Sequence, residues 1–202
     1  MPDLEKILIA TLSGMSVAEF REEAKKWLET AKHPRWSRPY TELIYQPMLE
    51  VLSYLRDNAY KTYIVTGGGQ DFVRVYAEKV YGIPPERVVG TAGGTSYGYD
   101  KNGRPFLTKD PKLLLNDNNA GKPEGIHLMI GQRPYAAFGN STGDRQMLEY
   151  TGAGNGARLM MLLLHDDGQR EYAYGPAQRL PDTKVGTFSR PSTTKRRTRA
   201  GP

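Results

Sequence analysis

The sequence predicts an α/β fold built on a parallel sheet with helices on both faces, and three observations predict it. Short β-branched or apolar runs alternate with segments of helical periodicity from about residue 62 to residue 164. Glycine and proline fall at the joints between them, as in Gly67-Gly68-Gly69 and Tyr81-Gly82-Ile83-Pro84-Pro85. Residues with distinctive chemistry gather where strand ends meet helix starts, which is where sheets of this kind carry their sites.

Ser16 to Thr30 reads as the first helix, with Ser16 as N-cap, Glu19 as its capping-box partner, and Phe20, Ala24, Trp27 and Leu28 along one face. A turn-rich stretch, Lys32 to Pro39, follows. Pro47 sits in the first turn of a second helix whose apolar residues are Met48, Val51, Leu52 and Leu55, and which ends near Asp57-Asn58. Thr62 to Thr66 is a β-branched and aromatic run, a buried strand that stops at the three glycines. Asp71 to Val80 is helical. Val88-Val89 starts another strand, and Tyr97 to Leu107 reads as a hairpin, because Asn102-Gly103 suits a turn with positive φ at both central residues. Pro123 to Ile130 is a short helix, Tyr135 to Phe138 a strand, Gly143 to Tyr150 a helix, and Arg158 to Leu164 the most apolar strand.

With 202 residues, 38% of them hydrophobic, one domain with a sizeable core is the expectation. There are no cysteines, which excludes disulfides, a thiol nucleophile and thiolate metal ligands. No stretch approaches the ~20 apolar residues that span a bilayer, so membrane partners are not expected, and a chain starting at Met1 is expected to be soluble and cytoplasmic. The net charge of +6 is carried by residues 176–202, where seven basic side chains face the single acid Asp182; residues 1–175 are neutral. A neutral body with a basic, Ser-, Thr- and Pro-rich tail differs from a uniformly basic nucleic-acid domain. Residues 176–202 are expected to be disordered, and any nucleic-acid contact is expected through that tail alone.

Three groups fall at strand ends. Thr66-Gly67-Gly68-Gly69 offers an oxyanion a hydroxyl, open backbone N–H groups and the positive end of a helix. A plain chain-reversing turn has the same appearance. It is neither a dinucleotide fingerprint, since position 72 is Phe, nor a P-loop, since Gly-Lys-Ser/Thr is missing. Lys122 precedes Pro123 at a helix start, as a solvated surface lysine would, or as a point charge placed to neutralise a phosphoryl oxygen. Gly139-Asn140-Ser141-Thr142-Gly143-Asp144 brings an amide and a carboxylate into one loop, which suits Mg²⁺; Asp144 alone would pass for a helix cap.

In this order the three groups resemble the haloacid dehalogenase superfamily of hydrolases, in its phosphoserine phosphatase-like branch. The matching residues are Thr66, Lys122, and the pair Asn140 and Asp144 within Phe-Gly-Asn-Ser-x-Gly-Asp-x-x-Met-Leu, and the likeness runs from about Leu4 to about Tyr174. The resemblance implies a three-layer Rossmann-like core over residues 47–175 and a partial helical cap over residues 1–46, with the tail 176–202 outside both. It also implies phosphoryl transfer through an aspartyl-phosphate. Thr66, Gly67 and Gly68 would hold the phosphoryl oxygens, Lys122 would offset charge, and Asn140 and Asp144 would secure Mg²⁺. Thr66, Lys122 and Asp144 are thereby the candidate catalytic residues, and a small phosphorylated metabolite the expected partner.

One departure is large. The family's nucleophile and general acid come from an Asp-x-Asp motif on the first strand, and no two aspartates two apart occur in this sequence. The run Lys6 to Thr11 carries no carboxylate at its end. The expectation is a chain that is truncated at its N-terminal side, lacks the first strand, and is inactive on its own. Two functions follow: a phosphatase-type hydrolase whose nucleophile lies elsewhere, or a non-catalytic phosphate- or nucleic-acid-binding module.

Overall fold

The computed structural model describes residues 13–34, 36–165 and 169. The expected disordered tail, 176–202, and the run Lys6 to Thr11 lie outside them. The chain forms an α/β structure in two compact units, Met1–Glu42 with Ala59–Asp117, and Leu43–Asn58 with Asn118–Pro202. Among the described residues no helix is long and apolar enough to cross a membrane.

In the first unit, helix α1 (Val17–Thr30) begins as the sequence predicts: Ser16 Oγ accepts from Glu19 N–H at 3.1 Å, and Glu19 accepts from Ser16 N–H at 2.8 Å. These bonds hold the Glu19 carboxyl below the usual carboxylate range. Strand β1 (Ile64–Gly69) leads into helix α2 (Gln70–Tyr81), which ends at Gly82. Strand β2 (Val88–Tyr99) runs parallel to β1 and is followed antiparallel by β3 (Pro105–Leu115). Val73, Ala77 and Val88 form the buried centre, with Ile64 and Tyr76 packed against it. Burial removes this apolar surface from water, the main stabilising term.

The structure departs from the sequence expectation at three points. The first strand continues through the glycines to Gly69 instead of stopping at Gly67, because Gly69 re-pairs with Thr91 after a bulge that follows Thr66. The hairpin is longer than Tyr97 to Leu107, since β2 runs unbroken from Val88 to Tyr99. Its turn has positive φ at Gly103 (75°) and not at Asn102. The reason is Asp100, whose carboxylate accepts from the N–H groups of Asn102 and Arg104 at 2.8 and 2.9 Å and closes a wider loop.

In the second unit, helix α3 (Gln46–Asp57) carries Pro47 in its first turn, as expected. Helix α4 (Gly121–Ile130) starts two residues before the predicted Pro123. Strands β4 (Ala136–Gly139) and β5 (Leu159–Leu162) pair in parallel, and between them run a 3₁₀ turn (Thr142–Asp144) and helix α5 (Arg145–Gly152). Ile126, Ala137 and Met147 are buried here. The parallel pairs β1–β2 and β4–β5 are the crossover-connected ladders that alternating β and α segments require.

Candidate functional site

In the first unit the strand-to-helix turn is held by two hydrogen bonds, one of them backed by a third. Gly68 N–H donates to Thr66 Oγ1 at 3.0 Å, which uses a lone pair of that hydroxyl and leaves its proton to be donated elsewhere. Thr91 Oγ1–H donates to Gly67 O at 2.8 Å, and Asp117 N–H donates to Thr91 Oγ1 at 3.1 Å. This relay fixes the Gly67 peptide with its carbonyl turned towards β2. A Cβ on Gly90 would stand 3.0 Å from Gln70 Cα and Gly68 O, so the adjacent strand must be bare there for β2 to pass the turn this closely. Gly68 and Gly69 are exposed, and no side chain caps the start of α2, whose first-turn N–H groups have no partner within the helix. Asp117, fully buried, was not singled out by the sequence reading.

In the second unit, β4 delivers Gly139 and Asn140, and the chain turns at Ser141. Asp144 is 8% exposed, and its Oδ2 accepts from Asn140 N–H at 2.9 Å, Ser141 N–H at 3.0 Å and Ser141 Oγ–H at 3.2 Å. Its carboxylate does not cap the start of α5; it folds back over the loop that carries it. Gly139 is the counterpart of that fold-back, since a Cβ there would lie 2.5 Å from Asp144 Cβ. The other oxygen, Oδ1, meets Lys122 Nζ at 3.1 Å, with Lys122 5% exposed at the start of α4. A pair this deeply buried is retained only with well-matched geometry, and three further hydrogen bonds on the carboxylate provide it.

Asn140 turns its Nδ2 towards Nε2 of His165, 3.3 Å away just beyond β5. His165 is 4% exposed and stacks on Tyr45 at 3.7 Å between ring centroids. For Asn140 Nδ2 to donate, His165 must carry its proton on Nδ1. The amide is then oriented with Oδ1 on the opposite side.

The structure thus brings Lys122, Asn140 and Asp144 together in one unit and adds His165 and Tyr45, which the sequence reading missed. Thr66, Gly67 and Gly68 stand together in the other. The donors suited to Mg²⁺ are one carboxylate oxygen and one amide oxygen, both hard ligands. Among the described residues no group of three His, Cys, Asp or Glu gathers around a common point. The pair suits a magnesium ion in kind; since Oδ1 meets Lys122 and Oδ2 takes three hydrogen bonds, a metal would have to share or displace one of these partners, and substrate oxygens and water would have to complete its shell.

The model of haloacid dehalogenase-like hydrolases matches residues 1–149 of the chain. The crystal structure of a phosphoserine phosphohydrolase-like protein from Francisella tularensis subsp. tularensis SCHU S4 is similar over 75% of this chain and 69% of its own, at 19% identity and a TM-score of 0.37. No curated protein matches.

Proposed function

Because the chain belongs to the haloacid dehalogenase-like hydrolase family, we propose that it is the phosphate-binding and charge-balancing part of a phosphomonoester hydrolase of the phosphoserine phosphatase-like kind. The observation that carries this reading is the buried Lys122–Asp144 pair at 3.1 Å, set on the loop that also presents Asn140. A lysine kept for surface solvation would not be 5% exposed against a carboxylate.

In this reading Thr66 donates its hydroxyl proton to a phosphoryl oxygen and the N–H groups at the start of α2 receive the others. Lys122 offsets negative charge in the reaction. Asn140 and Asp144 hold Mg²⁺, which supplies charge neutralisation on the phosphate when bound. His165 keeps the Asn140 amide turned. The sequence has no Asp-x-Asp pair to supply an acceptor aspartate, so an aspartyl-phosphate route would need a nucleophile that these residues do not provide. That same lack favours the second reading, a module that holds phosphate and does not turn it over. Tail contacts with nucleic acid belong to that reading too.

The test is calorimetric titration of the chain with inorganic phosphate in Mg²⁺. Saturable binding is expected, weakened about tenfold in Thr66→Val, the loss of one hydrogen bond to a charged group. Failure of the chain to bind phosphate, or a Thr66→Val variant that binds as well, contradicts the reading.

A further inference from the structure

A wall of aromatic rings in the first unit begins at Phe72, three residues after the glycine turn. A Cβ on Gly69 would be in van der Waals contact with Phe72 Cβ, at 3.9 Å. Phe72 meets Trp27 edge-on at 5.7 Å between centroids, and Trp27 stacks on Tyr40 at 5.1 Å and 26°. Phe72, Trp27 and Tyr40 therefore form one contiguous run of rings, whose first member lies three residues after Gly69.

Two observations separate this wall from a small core. Helix α1 already buries Ala24 and Leu28 for its packing. Trp27 remains 46% exposed and Tyr40 38% exposed, although each is stacked against the other. Aromatic surface left this exposed costs solvation free energy that a planar ligand would recover.

We propose that this wall receives a planar ring on the organic part of the phosphomonoester, so that the substrate class is a phosphate ester with an aromatic or heteroaromatic ring several bonds from phosphorus. The inference rests on the reading of Thr66 to Gly68 as the phosphate-holding turn. A nucleoside monophosphate has the right form: a phosphate at one end, a spacer, and a flat base at the other. Stacking on one such face strengthens binding by about tenfold or more.

Adenosine monophosphate and ribose 5-phosphate differ only in the base, so the pair isolates the ring. Calorimetry on the full chain in Mg²⁺ is expected to give about tenfold tighter binding of the nucleotide. Trp27→Leu and Tyr40→Ala are each expected to remove most of that advantage while leaving ribose 5-phosphate affinity unchanged. The exposed Tyr40 site keeps the experiment readable if Trp27→Leu does not fold. Thr66→Val is expected to weaken both ligands together. Equal affinities in the unsubstituted chain, a preference that survives both ring substitutions, or an equal loss of both ligands in Tyr40→Ala overturns the proposal and leaves the phosphate reading standing. If neither ligand binds, the phosphate reading falls and takes this one with it.

Discussion

Gly139 has room for a hydrogen and nothing larger. A methyl group there would stand 2.5 Å from Asp144 Cβ, with the Asp144 carboxyl carbon next at 2.9 Å, so Gly139→Ala must push the carboxylate off its three donors. The expected cost is about 2 kcal/mol or more in urea denaturation; a change under about 0.5 kcal/mol would show that the loop yields freely. Lys122 and Asp144 make a second test at this scale. Lys122→Met leaves a buried carboxylate without its cation, for about 3 kcal/mol of destabilisation, and adding Asp144→Asn to that variant is expected to recover part of it. Additive losses in that cycle would show that the two side chains are not coupled. The spacing of Lys122, Asn140 and Asp144 was legible in the sequence. The direction of the Asp144 carboxylate was not, because capping the next helix and bonding back to its own loop demand the same residue at the same place. His165 was invisible for another reason: it lies 25 residues beyond Asn140 and meets it through the parallel pairing of β4 and β5.

Among the elements, the helices were the most legible. Ser16, Pro47 and Gly82 mark ends that depend on local chemistry, and the structure places α1, α3 and the end of α2 accordingly. The strand β2 was only half legible. Gly93-Gly94 and Ser96 have no strand preference, and what extends the strand is pairing with β3, including Ser96 Oγ–H donated to Asp110 at 2.8 Å. Helix α2 carries a titration of its own. Burial, with a smaller effect of Tyr81, pushes the Tyr76 phenol up to about 12. Below pH 10 both folded and unfolded Tyr76 are protonated, and its contribution is fully present. Between about pH 10 and about pH 12 the unfolded chain releases the proton first, so stability is lost at about 1.4 kcal/mol per pH unit. Denaturation midpoints of Tyr76→Phe are expected to fall less steeply than those of the unsubstituted chain over that window. Parallel slopes would show that the phenol is free to ionise in the folded protein.

At the scale of the whole molecule, the α/β class and the family were legible because three short motifs occur in one order, each tied to a strand end. The sequence also placed the charge: residues 1–175 are neutral and the net charge of +6 is carried by residues 176–202. The division into two compact units was not legible, since α3 (Gln46–Asp57) joins residues more than sixty positions further on instead of its neighbours in sequence. In the proposed function the chain holds the phosphate and balances its charge without supplying the nucleophile. Hydrolysis of p-nitrophenyl phosphate by the purified chain, in Mg²⁺ and at concentrations that saturate its phosphate site, tests this most directly. Occupancy without release of p-nitrophenolate above the uncatalysed rate is expected. Sustained Mg²⁺-dependent turnover that is lost in Lys122→Met would contradict it, and would mean that a nucleophile resides in this chain.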